Sequence, residues 1–494
     1  MRGTNASTSV VQRRTSTVLG LGAFCIALAL ALLAMCLLCF AYLGDAPVFP
    51  WDEARHGISA YEMAMTGDPI VTTYRYETDM WNLKPPLSEW LQVVSYRLLG
   101  YTPLAMRLPS ALCMMATCMV CLVFCWRRHG RLPGLAALVS LLSAGCLWTL
   151  HCARTGDADA LFVMLCTLST VCLCVADRSP RALMGSCLCF ALAFLAKSFH
   201  AVVIGIELVA YIVLCRRSLR ITAPLVVACI ACAALPIVCW AGVRVIRDGT
   251  QFLEQMVLYD VLNRSANAIE EHAGGPAYYV AFLLGEVGVV ASWVVLACGM
   301  AVGLAVGAGD DGTRKGWPHP APEDVALWLA FLVPLVLFSM AKSKLYWYVY
   351  PSLPALALLV GKHSQPLFDR LGQRAVLVLV VPLLACAISL RRTAAVILHP
   401  DASDFQAALW SVLDREGSPA GKKLYLDVTD ARSEGWSQED VLVAELAGDM
   451  RCADGTRADW ASDADALIVT MTNRVPEQGS VVASKGDYVL VAHG

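Results

Sequence analysis

The residues best suited to chemistry in this chain are charged groups set beside long apolar runs. "WDEARH" holds Asp52, Glu53, Arg55 and His56, and "WNLKPP" holds Trp81 and Lys84. "RTGDADA" holds Asp157 and Asp159, "FLAKSF" holds Lys197, and "AKSKLYWY" holds Lys342, Lys344 and Tyr348. Ionisable groups at or near membrane depth are costly, so they mark candidate functional sites. Carboxylates among them can orient or deprotonate a nucleophile, while Lys and Arg can neutralise an anion in a site of reduced dielectric. If the segments converge, they form one polar cavity that carries both signs of charge.

Each residue also has a plainer reading. Asp52 suits the N-cap of a surface helix, although Arg55 stands where a capping box would place Glu or Gln. Over 52–66, a helix puts Asp52, Arg55, His56 and Ser59 on one face and Ala54, Ile58, Tyr61 and Met65 on an apolar stripe, which suits a helix lying on the membrane. Lys84 follows as a lysine reaching for water beside a proline-started helix, and Lys342 and Lys344 as similar groups at a span end. Trp347 and Tyr350 fit an interfacial aromatic belt. His200 and His272 are isolated, without ligand spacing. Asp157 and Asp159 point the same way on an extended segment and diverge on a helix.

The elements that must position these groups are membrane spans. Of 494 residues, 57% are hydrophobic and only 16% charged, below the roughly one quarter usual in soluble domains. The chain reads as an α-helical polytopic membrane protein. Apolar runs near 18–43, 103–126, 133–150, 158–176, 182–199, 201–215, 221–243, 277–307, 324–341, 345–361 and 374–397 predict about eleven spans. The net charge of -2 and the lack of a GxxxxGK[ST] loop argue against nucleic-acid binding and a phosphate-binding loop. Nearly all of the 21 cysteines lie in apolar runs, where they act as small hydrophobes. Cys118 and Cys121 form a CxxC without a second pair, and Cys452 stands in a polar region, so a disulfide framework is not expected.

Short cytoplasmic loops collect Lys and Arg. The N-terminal segment 1–17, "RRHGR" (127–131), "DRSPR" (177–181), "RRSLR" (216–220), "TRKG" (313–316) and the loop 362–374 all fall on one side by alternation, which makes that side cytoplasmic. The loop 44–102, "HCARTGD" (151–157), Lys197 to His200, the segment 244–275 and "AKSKLYW" then face outward, as does the C-terminal region. From 399 the composition becomes ordinary. "KLYLDV", "ALIVTM" and "DYVLVAH" read as strands and 403–415 and 438–447 as helices, forming a small α/β domain over 399–494.

"WDEARHGISAYEM", "LKPPLSEWL", "ARTGDADALF", "FLAKSF" and "AKSKLYWYVYPSLPALALL", in this order, resemble the GT-C glycosyltransferases that use polyprenyl-phosphate sugars. The resemblance covers about residues 20–365, and the nearest groups are the bacterial aminoarabinose transferases and the protein O-mannosyltransferases. It implies a GT-C membrane domain over 18–398 with 44–102 as its first periplasmic loop, in an inner membrane. It also implies inverting transfer from an undecaprenyl-phosphate type of donor to a lipid, glycan or protein acceptor on the periplasmic face. Membrane lipids are the remaining expected partners, and no cofactor is expected.

By this resemblance, Asp52 acts on the acceptor and Asp159 is the second carboxylate, which suits an oxocarbenium-like transition state. Lys84, Arg55, Arg264 and Tyr348 match positions that hold the lipid phosphate, and Lys197 and Lys342 match other basic positions around the cavity. Glu53, His56, Trp81, Asp157 and Lys344 are the remaining expected cavity residues. "VLYDVLNRSANAIEEHAGGPAYYVAFLLGEVG" also matches, and places Arg264 and His272. Leu83 and Val261 stand where relatives carry a carboxylate and a histidine implicated in metal binding, and Trp81 stands for a tyrosine; no metal is expected. Two rivals are a transporter, which calls for mid-span charges and repeat symmetry, and a non-catalytic receptor for polyprenyl phosphate. Neither feature of a transporter stands out here.

Overall fold

The structure, a computed structural model, describes residues 5–259, 274–309, 321–371, 375–413, 420–428 and 435–494. Arg264, His272 and Val261 lie outside the described residues. Among those described, seven helical stretches are long and apolar enough to cross a membrane: Gly20–Phe40, Pro103–His129, Ala182–Cys215, Ala223–Asp248, Val287–Ala305, Pro322–Met340 and Leu379–Leu398. Arg131–Leu142 and Asp159–Val175 are shorter apolar helices.

Several expected spans differ in detail. The runs 182–199 and 201–215 form two helices, Ala182–Lys197 and Val202–Cys215, joined by a 3-10 turn at Ser198–Ala201. The run 277–307 breaks at Glu286 into Tyr278–Gly285 and Val287–Gly309. The run 345–361 opens with a 3-10 turn, Tyr346–Val349, before the helix Ser352–Leu371.

The helices pack with small residues at their closest approaches, as expected where lipid removes the hydrophobic drive for helices to associate. A Cβ on Gly288 would lie 1.8 Å from the Ser143 carbonyl oxygen, and one on Gly299 would lie 2.1 Å from the His363 carbonyl oxygen. At one end of the bundle, Arg128 and His129 pair with Glu323, and Lys362 with Asp324. The loop helix Asp52–Thr66 lies at the opposite end.

That helix does not lie flat on a lipid surface. Its residues from Glu53 to Met63 are buried, because Ala54, Ile58 and Tyr61 join the core of the C-terminal domain with Phe405, Leu409, Val441 and Leu442. Each such side chain, fully buried, is worth about 1.5–3 kcal/mol, so the apolar stripe supplies a strong docking face. Only Met65, at the far end, stays exposed. Gly57 sits where a Cβ would meet Leu442 Cδ2 at 2.5 Å and Met106 Sδ at 2.6 Å, which makes the approach of the two helices close.

The C-terminal domain has the expected three strands and two helices, plus two further strands. After a two-stranded hairpin in the first loop, β1 (Thr73–Tyr74) and β2 (Glu77–Thr78), the domain is built from β3 (Lys423–Asp427), β4 (Arg451–Cys452), β5 (Leu467–Met471), β6 (Gly479–Lys485) and β7 (Tyr488–His493). Their order is β4-β3-β5-β7-β6; β3 runs parallel to β4 and β5, while β7 is antiparallel to β5 and β6. The strand β6 is legible only weakly because its residues are mostly exposed. Helices Asp404–Leu413 and Gln438–Gly448 cover the face turned to the first loop, and Trp460, Ile468 and Val491 close the other.

Polar contacts lock the domain in place. Gln406 clasps the backbone of Val48 in both directions, at 2.8 and 3.0 Å. Arg75 donates to Asp454 at 2.9 Å and to the Cys452 carbonyl, and the Tyr61 hydroxyl donates to Asp449 at 2.5 Å. Cys452 is thereby buried in the fold, and all 21 cysteines are free thiols.

Candidate active site

The expected N-cap at Asp52 is absent. Trp51 takes that position with φ 65 and no capping side chain, and the helix begins at Asp52 itself. Freed from capping, Asp52 Oδ1 accepts from Lys84 Nζ at 3.1 Å. Both line a cavity of about 520 Å³ with His151, Lys197, His200, Trp51, Trp81, Trp347 and Tyr348, a size typical of small-ligand sites.

Three cations and three carboxylates interlock there. Lys84 meets Asp52, Lys197 meets Asp159, and His151 Nδ1 meets Asp157 Oδ2 at 2.8 Å. Burial alone would raise the Asp52 carboxyl, but nearby cations, Lys84 first and then His151 and Lys197, outweigh it and hold the group well below the usual carboxylate range. Burial alone would lower His151; its bond to Asp157, with the charges of Asp157, Asp52 and Asp159, raises it to about 9. His151 is therefore a cation at neutral pH. It stacks on Trp347 with ring centroids 3.8 Å apart.

The backbone is strained at each corner of this site. Trp51 (φ 65), His151 (φ 46), Cys152 (φ 80) and Ser198 (φ 52) are non-glycine residues in the left-handed region, at about 1–3 kcal/mol each. Each is, or adjoins, a charged cavity residue or its contact, so tertiary packing sustains these conformations around the cavity.

A buried scaffold behind the cavity joins the loops. Glu53 and Arg107, both fully buried, pair at 2.8 Å, and Arg107 also donates to the carbonyls of Leu43, Ala46 and Pro47. Glu53 additionally accepts from the backbone N–H groups of Phe49 and Gly156 at 2.8 Å. One carboxylate thus ties the Asp52 loop to the loop of Asp157. The Asp157 side chain in turn accepts from the Asp159 N–H at 3.0 Å, at the start of the helix Asp159–Val175.

The structure brings together Asp52, Lys84, Trp81, Asp157, Asp159, Lys197 and Tyr348. Other expected residues fall elsewhere. Arg55 turns away from the cavity, paired with Asp79 at 2.9 Å and stacked on Tyr74 with its guanidinium 3.6 Å from the ring centroid. Glu53 is sequestered by Arg107 as described. His56 lies behind Lys84, against Glu89. Lys344 caps the helix Pro322–Met340 by donating to the carbonyls of Phe338, Ser339 and Ala341, and Lys342 is exposed outside the cavity lining. Leu83 packs among Leu195, Trp240, Phe252 and Met256.

Four cavity residues, Trp51, His151, His200 and Trp347, escaped the sequence reading as site residues. His200 looked isolated, because its ring partners Phe338 and Tyr348 are distant in sequence. Trp347 and Tyr350 matched an interfacial belt, yet Trp347 lines the cavity and the buried Tyr350 hydroxyl donates to the carbonyls of Cys146 and Leu150. Among the described residues, His151, Asp157 and Asp159 offer ligand atoms within 4.8 Å of one another, a group able to hold a cation. Here Lys197 and the His151–Asp157 hydrogen bond occupy those atoms instead.

The chain is similar to known proteins in sequence and in fold. Residues 83–240 match the family described as dolichyl-phosphate-mannose-protein mannosyltransferase. Over 350 residues the chain is 27% identical to the undecaprenyl phosphate-alpha-4-amino-4-deoxy-L-arabinose arabinosyl transferase of Aeromonas hydrophila, covering 67% of this chain and 59% of that one. The protein of the same description from Aeromonas salmonicida is 28% identical over 354 residues, with the same coverage. The chain thus spans 59% of the length of these curated relatives. Among solved structures, ArnT from Cupriavidus metallidurans bound to undecaprenyl phosphate superposes with a TM-score of 0.69 at 16% identity, covering 95% of this chain and 98% of that one. The Archaeoglobus fulgidus oligosaccharyltransferase superposes with a TM-score of 0.56 at 10% identity, over 91% of this chain and 69% of that one. In sequence the chain is thus similar to the aminoarabinose transferases and to the protein mannosyltransferase family, and in fold to solved glycosyltransferases.

Proposed function

We propose that the chain is an inverting glycosyltransferase that moves a sugar from a polyprenyl-phosphate donor of the undecaprenyl type to an acceptor at the periplasmic face of an inner membrane. The observation that carries this reading is Asp52, held ionised beside Lys84 in a cavity whose other charges are Lys197, His151 and their carboxylates. The relatives' arabinosyl transfer from undecaprenyl phosphate supports the donor class. Packing of the C-terminal domain on the first loop supports a common side for both, and the basic loops at the other end support that side as periplasmic.

In the reaction, the acceptor nucleophile attacks the anomeric carbon as the bond to the lipid phosphate breaks. Asp52 orients that nucleophile and, for a hydroxyl, takes its proton. Negative charge grows on the departing phosphate, and Lys84 supplies a positive charge already fixed in place. Positive character at the sugar is opposed by carboxylate charge from Asp159. Tyr348 and the tryptophans wall the cavity and exclude water. Arg264 remains a proposed phosphate contact, while Arg55 supports the site from behind.

Purified protein in lipid, given undecaprenyl-phosphate sugars and candidate acceptors, should release undecaprenyl phosphate with transfer of the sugar. Asp52→Asn should stop turnover while leaving undecaprenyl phosphate binding largely intact. Full activity in that variant removes Asp52 from the chemistry.

A further inference from the structure

Directly behind Lys84 lie two fully buried polar side chains that the transfer reaction does not use. His56 projects from the helix Asp52–Thr66 and Glu89 from the helix Leu87–Leu99, and neither has side-chain exposure. His56 Nδ1 is 2.7 Å from Glu89 Oε1, and Ser88 Oγ donates to Glu89 Oε2 at 2.8 Å. On the other side of the ring, His56 Nε2 is 3.4 Å from Lys84 Nζ, whose ammonium reaches Asp52 at 3.1 Å. Four residues from two helices and the intervening loop therefore form a line: Glu89, His56, Lys84, Asp52.

The protonation pattern along this line follows from donor and acceptor chemistry. Ser88 Oγ donates to Glu89 Oε2 and the His56 ring faces Oε1, so both oxygens of Glu89 stand as acceptors. An ionised carboxylate only accepts, so Nδ1 of His56 must carry a hydrogen. A lysine ammonium only donates, so Nε2 must present its lone pair. An imidazolium would instead point a second N–H at the ammonium. Which ring nitrogen carries the proton is thus set by the partner of the other.

We propose that Glu89 and His56 are a positioning pair: Glu89 fixes His56 as the neutral Nδ1–H tautomer, whose Nε2 lone pair holds the Lys84 ammonium beside Asp52. Lys84 is thereby aimed by a group that never touches substrate, and a flexible four-carbon side chain loses its freedom before the donor arrives. The role deepens the transfer reading and rests on it for its kinetic consequence. The tautomer does not.

Two measurements test it on the full chain in lipid nanodiscs. With ¹⁵N-labelled histidine, and His56 assigned by its loss in His56→Gln, the spectrum at neutral pH should show a protonated Nδ1 and an unprotonated Nε2. A protonated Nε2, in either the other neutral tautomer or the imidazolium, overturns the proposal whatever the protein transfers. The second measurement compares amides of different reach. The amide of Gln extends to the place of Nε2 and can still accept from Lys84; that of Asn reaches only the place of Nδ1 and keeps just the Glu89 contact. Undecaprenyl phosphate affinity should stay within about threefold of wild type in His56→Gln and fall about tenfold in His56→Asn, the size expected for one charge-assisted hydrogen bond. Equal losses in both variants reduce His56 to a packing role and defeat the proposal. If wild-type protein neither binds undecaprenyl phosphate nor transfers sugar, the functional reading falls instead, and the nitrogen spectrum still decides the pair.

Discussion

At its first turn the helix Asp52–Thr66 presents an acid to cations, and at its last full turn it presents an acid to another acid. Asp52 faces Lys84, His151 and Lys197, and is held ionised. Glu62, ten residues on, is buried against the C-terminal domain, where it shares a hydrogen bond with Glu445. Burial is the leading cause for raising Glu62, offset in part by bonds from Thr73, Tyr76 and Arg75; burial, Glu62 and Asp449 raise Glu445 well above its ordinary value, with Arg75 opposing. The same desolvation acts on both ends. The cavity end answers it with cations and keeps its charge; at the docking end burial and the second acid push both carboxyls up toward the neutral form.

The comparison breaks most visibly at Asp52. Asp52→Asn removes the ionised acid while keeping its shape, and should lower kcat by about 10³-fold; steady-state transfer measures it. Next comes the scaffold joining the two loops. Glu53→Ala leaves Arg107 buried without its carboxylate, and should cost about 3–5 kcal/mol of stability, read as a lowered thermal midpoint in detergent. Unchanged stability would mean that water replaces the carboxylate at no cost. Lys84→Ala should weaken undecaprenyl phosphate binding by about 10–100-fold, as the loss of a charge-assisted contact predicts. Equilibrium titration of the lipid gives the value.

The smallest effect separates the ends by pH. Asp52 has a lowered folded value, so its stabilisation is present above its ordinary 3.8 and is lost as pH falls below it. His151 is raised to about 9, so its share is complete below 6.5 and is lost as pH rises through about 9. The Asp52 and His151 contributions are thus both complete between about pH 4 and about pH 6.5, and that of His151 fades as pH rises to about 9. Glu62 and Glu445 are both raised from 4.5, so docking is strongest below pH 4.5 and weakens as pH rises through their higher values. Hydrogen exchange in 438–448 should therefore speed up as pH rises above 4.5 in wild type, after correction for intrinsic rates. Glu445→Gln, which keeps the shape without the titration, should flatten that dependence.

Much of the helical architecture was legible because apolar length acts locally along the chain. The three strands "KLYLDV", "ALIVTM" and "DYVLVAH" were legible for the same reason, since they carry continuous β-branched and apolar residues. The exposed β6 lacked that signal. In the site, Asp52, Lys84, Asp159 and Lys197 could be singled out because charge beside an apolar run is costly wherever it occurs. Arg55 and Lys344 obeyed the same rule and fell elsewhere, since a buried cation is equally satisfied by Asp79 or by three helix-end carbonyls.

By itself the sequence determined which groups are too expensive to bury without a partner, and that the helix over 52–66 has one polar and one apolar face. Only the tertiary structure decided the partners. The apolar stripe could have met lipid, but Leu442 and Val441 cover it. Asp52 could have capped its own helix, but Trp51 takes the strained position and leaves the carboxylate to Lys84. Composition carries the desolvation cost of each charge. The compensation comes from residues tens or hundreds of positions away, so pairing, protonation and reactivity are properties of the fold.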